Sequence, residues 1–222
     1  MGEPLDQVER ARRALELARA DRLHAERESV RILASYQQTL IDAELRDTRR
    51  RLLRALWHRA GRDTAAFLDE DFLAVADRPA VIAAIVTAAM AGGADMCDLQ
   101  VHDPRTGTLE IAGQHGFTEE FLTFFETVAR GQPGCSCGRA LAGRRPVLVD
   151  DITLSPIFAG EPSLEVLRAA GSRSVHSYPL FGVGGEVTGV LSVHYRTPGP
   201  PRGRPDLVAA GAGQALALVG GP

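Results

Sequence analysis

Cys135 and Cys137 stand two residues apart in Gly134-Cys135-Ser136-Cys137-Gly138. Thiols in a glycine-flanked loop are accessible, and could be redox-reactive or ligate a soft metal. A bond between cysteines this close would be strained. Cys97, at the start of a strand-like run, reads as a buried side chain. Ser192 and His194 alternate with apolar neighbours in Gly189-Val190-Leu191-Ser192-Val193-His194-Tyr195. A lone histidine in such a run is either a satisfied core group or a haem or iron ligand. His102, His115 and His176 are candidates only by nearness to sheet edges. Asp150 and Asp151 follow Val147-Leu148-Val149, where a carboxylate serves as a loop brace as readily as a ligand contact. The sequence has no His-x-x-x-His, Glu-x-x-His or Cys-x-x-Cys pair, and no phosphate loop, kinase signature or Ser/His/Asp order stands out.

The serine and histidine belong to a strand-turn-strand. Ser174-Val175-His176-Ser177-Tyr178-Pro179-Leu180 leads into the glycine-rich Phe181–Glu186, and Val187–Tyr195 leads out. Alternating flanks around glycine turn chemistry predict an antiparallel hairpin. Period two places Val187, Leu191, Val193 and Tyr195 on one face of the second strand. Thr188, Val190, Ser192 and His194 take the other. One face suits a core; the other is polar enough to touch a small ligand.

Elsewhere, Leu5 to Ala60 contains no Gly or Pro and is rich in Ala, Leu, Arg and Glu, so it reads as helix. Its apolar positions include Leu5, Val8, Ala11, Leu15, Val30, Leu33 and Leu40. Their register slips near Arg22 and Asp47, which fits two or three helices or one long helix with stutters. Gly61–Thr64 is a break, with Asp63 or Thr64 as an N-cap. Helices are expected over Ala65–Ala76 and Pro79–Ala91. Strands are expected at Cys97–His102 and Thr108–His115. A helix capped by Thr118 carries Phe121 through Val128. Gly131–Gly138 reads as loop, Arg139–Gly143 as a short helix and Pro146–Val149 as a strand. Asp150–Pro162 reads as loop, Ser163–Gly171 as a helix capped by Ser163, and Asp206–Val219 as a closing helix. Helices at both ends of a mostly antiparallel sheet give an α+β fold. The division is a helical segment 1–62, a connector 63–78 and a main domain 79–222.

At 222 residues and 45% hydrophobic composition the chain can bury a real core. All 25 basic residues are Arg, and the net charge is -3. Acids interleave with the arginines of the first 62 residues, so neither a nucleic acid nor a membrane surface is an expected partner. The most apolar window, Val81–Ala94, falls short of the roughly 20 residues that span a bilayer. Three cysteines argue against a disulfide framework, and the N-terminus does not read as a signal peptide, so a cytoplasmic protein is expected.

Taken in order, several landmarks between about residues 79 and 219 resemble the GAF family of small-molecule-binding sensor domains. They are Ala94-Asp95-Met96, Asp103-Pro104, Gly134-Cys135-Ser136-Cys137-Gly138, Val149-Asp150-Asp151, Ser155-Pro156-Ile157-Phe158, Tyr178-Pro179-Leu180 and Gly189–Tyr195. The resemblance implies a twisted antiparallel sheet with helices on one face and a roof of loops and short helices on the other. It implies that Thr188, Val190, Ser192 and His194 look into a pocket, joined by Val175 and Ser177. Phe121, Phe124, Ile157 and Phe158 would supply the roof, with Cys135, Cys137 and Asp151 as further candidate contacts. It also implies that the cysteine loop can hold a small residue packed under that roof. The family includes free methionine sulfoxide reductases, which use a cysteine in this loop and another downstream; Phe158–Ala170 holds none here. Phytochrome-type members attach a bilin through a Cys-His pair, where this chain reads Ser163-Leu164-Glu165-Val166.

The expected function is a non-enzymatic cytoplasmic sensor. It binds an unidentified small molecule and signals through helices, as a homodimer with a coiled-coil arm, to a histidine kinase or another signalling partner. No output module follows residue 219, and no cofactor is identified. The alternatives are a redox or metal sensor acting through Cys135 and Cys137, a methionine sulfoxide reductase-like enzyme, and a structural dimerisation protein with a degenerate domain.

Overall fold

A computed structural model describes residues 4–60 and 65–219. The break at 61–64 and the side chains of Leu5, Val8 and Ala11 lie outside the described residues. The chain divides into two units, Met1–Thr48 and Arg49–Pro222. One helix, α1 (Pro4–Ala60), takes the place of the two or three helices left open above. With neither glycine nor proline after Pro4, the register slips do not break it. In the first unit Leu15, Leu17, Leu23, Val30, Ile32, Leu33, Tyr36, Leu40 and Ile41 are all more than half exposed. Pairs such as Arg22–Glu26 at 3.1 Å lie along its surface and, exposed as they are, add little stability.

The second unit begins within the last turns of α1, where Leu56 is buried with Leu52 and Leu53 packed beside it. Arg49 donates to the Val75 carbonyl at 2.6 Å and pairs with Asp77 at 2.8 Å. The single helix expected over Ala65–Ala76 is instead a 3-10 turn (Ala66–Leu68) and a short α2 (Glu70–Val75). Asp69 separates them because it leaves helical backbone to accept from the Phe72 amide. Asp77 caps α3 (Arg78–Ala91) in the same way, with Pro79 in the first turn, where no N–H is needed.

Six strands follow: β1 (Met96–Asp103), β2 (Thr108–His115), β3 (Thr127–Ala129), β4 (Val147–Val149), β5 (Ser174–Phe181) and β6 (Val187–Tyr195). They form one sheet in the order β3-β2-β1-β6-β5-β4, with every neighbouring pair antiparallel. α3 and α7 (Pro205–Val219) cover one face. Here Ile85, Leu99, Leu191, Tyr195, Val208 and Ala212 close a core. The opposite face lies under α4 (Glu119–Phe124), α5 (Ser136–Gly143) and α6 (Ser163–Ala169) with their loops. Leu109, Phe121, Val128, Leu141, Ile152 and Phe158 form a second core there. The fold is α+β, with a sheet between a helical back and an irregular roof.

Four local readings are corrected. The helix after Thr118 stops at Phe124, and Thr127–Ala129 pairs with β2 as an edge strand. Cys135 is the N-cap of α5 and Cys137 lies in its first turn, so helix starts three residues before Arg139. Pro162, not Ser163, precedes α6, and Ser163 makes no capping bond. Val187 packs into the roof-side core rather than with Leu191, because the β5–β6 register shifts between Leu180 and Phe181.

His176 on β5 is fully buried, with Nε2 3.2 Å from the Gly199 carbonyl and Nδ1 without a partner. Burial, the dominant cause, holds its pKa below the ordinary 6.5. As pH falls through that ordinary value the unfolded chain takes up the proton first, so the folded state loses stability until the lowered pKa is passed. Urea melts from pH 8 to pH 5 are expected to show this decline. His176→Gln, which can still donate to Gly199, is expected to flatten it.

Candidate functional site

Register places the polar face of β1 and β6 together under the roof. Asp98 lies opposite Ser192, Met96 opposite His194 and Gln100 opposite Val190. These positions alternate with Cys97, Leu99, Leu191 and Val193, which point into the helix-side core. Gly189 permits the close approach of the two strands, since a Cβ there would meet the Gln100 carbonyl oxygen at 2.3 Å.

Between this polar strip and the roof is a small cavity of about 20 Å³. Asp98, Gln100, Ser192 and His194 form its floor on the sheet side. Phe121, Phe125, Phe158 and Leu167 close it, with Gly134–Cys137 at the start of α5. Phe117 stacks on Phe121 with ring centroids 3.7 Å apart, and both rings lie nearly perpendicular to that of His194, at 4.9 and 5.8 Å.

The buried polar groups around the cavity include two connected sets and two unpartnered side chains. His194 Nε2 lies 3.3 Å from Asp98 Oδ1, and His194 Nδ1 lies 3.0 Å from the Ser172 hydroxyl. This places an imidazole between a carboxylate and a hydroxyl, and fixes both ends of the ring. Ser136, Ser177 and Ser192 form a hydroxyl chain with steps of 2.9 and 3.0 Å. Gln100 is fully buried, and neither Oε1 nor Nε2 has a partner. Each unsatisfied buried amide atom costs about 1–3 kcal/mol. The Ser163 hydroxyl is a further unpartnered buried group, close to where a Gly134 Cβ would stand.

The two loop thiols are not accessible as the sequence suggested; both are buried. α5 folds them inward against the sheet rather than leaving them on a loop. The Cys137 thiol hydrogen-bonds Cys135, which lowers the Cys135 pKa and, together with burial, raises that of Cys137. Of the two thiols, Cys135 is therefore the more acidic. Among the described residues, no group of three or more His, Cys, Asp and Glu is assembled for a metal ion.

Of the residues chosen from sequence, Phe121, Phe158, Cys135, Cys137, Ser192 and His194 line the cavity. Ser177 lies one hydrogen bond away. Val175 and Val190 are buried in the roof-side core without lining the cavity. Phe124 is exposed and Phe125 takes the inward place, because the helix turns that side chain toward the sheet. Ile157 lines a separate surface groove with Arg139 and Val147. Asp151 is half-buried and accepts from the Thr153 amide and hydroxyl, so it braces a turn. Thr188 bonds the Leu180 carbonyl and lines an open groove elsewhere. Asp98 and Gln100 were missed, although two polar residues alternating inside an otherwise apolar strand are the signal that marks them.

The family model described as GAF domain matches residues 130–215. No curated protein sequence matches the chain. Among solved structures, the GAF domain of a phosphoenolpyruvate-protein phosphotransferase from Coxiella burnetii superposes with a TM-score of 0.53 at 15% identity, over 77% of this chain and 90% of that one. The corresponding domain from Acinetobacter gives 0.51 at 14% identity, over 76% and 92%. A free methionine-R-sulfoxide reductase from Neisseria meningitidis, solved with its substrate, gives 0.45 at 20% identity, over 77% and 85%. At these identities the first two likenesses bear on fold alone. No described helix is long and apolar enough to cross a membrane. The GAF family model thus falls on residues 130–215, within a six-stranded sheet and roof that share the fold of the GAF-domain structures from Coxiella burnetii and Acinetobacter.

Proposed function

We propose that the domain is a sensor whose ligand is a small molecule held between the sheet and the roof, against Asp98, Gln100, Ser192 and His194. The observation that carries this reading is the Gln100 amide, wholly buried with both polar atoms unpartnered and turned into a cavity. An evolved core replaces such a group with an apolar one unless it has a partner in another state. At about 20 Å³ the cavity has room for about one water molecule, so a larger ligand requires Phe158 and Leu167 to move. Binding then selects an open roof and passes the change through the sheet to α3 and α7. The exposed apolar side chains of α1 support its use as a homodimerising arm that relays to a signalling partner such as a histidine kinase. The three free cysteines support a cytoplasmic setting.

Hydrogen exchange tests the reading. Small molecules extracted from natively purified protein and added back to stripped protein are expected to slow exchange in 131–138 and 152–168. Unchanged exchange there would contradict it.

A second reading, a redox sensor through Cys135 and Cys137, is favoured by their mutual hydrogen bond and the lowered pKa of Cys135. Its expected mark is oxidation by hydrogen peroxide at Cys135 before Cys97, read by mass spectrometry of peptides. Equal rates at the two sites would contradict it. The enzymatic alternative would need a resolving thiol, and Phe158–Ala170 supplies none.

A further inference from the structure

We infer that the cavity's ligand is uncharged where it meets the sheet and presents an N–H beside a C=O, as an amide, lactam or urea-type edge does. This rests on the reading of the cavity as a ligand site and narrows it to a chemical class.

A primary carboxamide carries a donor and an acceptor side by side. Gln100 has both free. A carboxylate partner would satisfy Nε2 and leave Oε1 facing another acceptor. An ammonium would satisfy Oε1 and leave Nε2 orphaned. A group with its own adjacent donor and acceptor satisfies both at once.

The neighbours exclude anions independently. Asp98 is buried beside Gln100, and its one basic partner is His194, itself engaged by the Ser172 hydroxyl. No arginine lines the cavity. An anionic group would therefore meet a carboxylate with no cation to neutralise it. The Phe121, Phe125 and Phe158 side chains suit an apolar or aromatic body behind the polar edge.

Benzamide and benzoate share a shape and differ in this edge, so they make the test. Each is titrated into the full chain while the Gln100 side-chain amide is followed by nitrogen-15 NMR. Benzamide is expected to shift that resonance saturably, and benzoate to bind at least about tenfold more weakly. Gln100→Leu, followed instead through the backbone amides of β1 and β6, is expected to abolish the preference. Asp98→Asn, which removes the charge and keeps the shape, is expected to bring benzoate closer to benzamide. Benzoate binding as well as benzamide at this resonance would overturn the ligand class and leave the cavity reading standing. Silence from both probes up to the solubility limit of benzamide, with an ordered water bridging the two Gln100 atoms, would overturn both.

Discussion

Gly213→Ala is expected to destabilise the domain by about 2–4 kcal/mol, although helix propensity alone would stabilise it by about 1 kcal/mol. Gly213 lies within α7, where it faces β5. A Cβ at this position would stand 2.2 Å from the Phe181 carbonyl oxygen and 2.7 Å from its amide nitrogen. These are backbone atoms at the end of a paired strand, so they cannot swing aside as a side chain does. Relief requires α7 to withdraw from the sheet, opening the core around Leu180, Val208 and Ala212. Gly211 is the internal control. Its Cβ would meet only side-chain atoms of Phe67 and Leu68, at 3.1 and 3.2 Å. Gly211→Ala is expected to lie within about 1 kcal/mol of the wild type, because flexible side chains yield and propensity offsets the strain. Urea unfolding of both variants checks the contrast; equal effects would refute the close packing of α7 on β5.

His194→Ala is expected to cost about 3–5 kcal/mol. It leaves Asp98 buried without its cationic or N–H partner and strips Phe117 and Phe121 of the ring they pack against. Asp98→Ala is expected to cost less, because it strands no carboxylate and the imidazole keeps the Ser172 hydroxyl. The two losses should not add. Once Asp98 is gone, removal of His194 no longer strands a carboxylate, so the double variant should be more stable than the sum predicts by about 1–3 kcal/mol. A thermodynamic cycle from urea melts measures this coupling, and simple additivity would mean that the 3.3 Å contact carries no energy.

The legible part of this chain was its periodicity. The β5–β6 hairpin, β1, β2 and the flanking helices follow from alternation, glycine turns and capping residues, and their order was enough to suggest the fold. Less was readable where tertiary contact overrides local pattern. β3 is three residues long and exists because β2 offers an unpaired edge. The start of α5 at Ser136 lay hidden under two glycines, which read locally as loop. Strand faces were assigned correctly up to the register shift beside Phe181, beyond which Val187 fell on the wrong side. At the site, residues on β6 were found because their strand alternates visibly. Asp98 and Gln100 alternate with Cys97, Leu99 and Val101 on β1 just as plainly, so the same signal was present there. That both atoms of the Gln100 amide lack partners cannot be read from any spacing, since it depends on what the roof fails to supply.

The most direct test of the account is a high-resolution crystal structure of the natively purified chain, paired with mass spectrometry of whatever it releases on denaturation. The account predicts a roof displaced at Phe158 and Leu167, with electron density for an organic molecule touching the Gln100 side chain. A closed roof, a single water on that amide and no released molecule would contradict it.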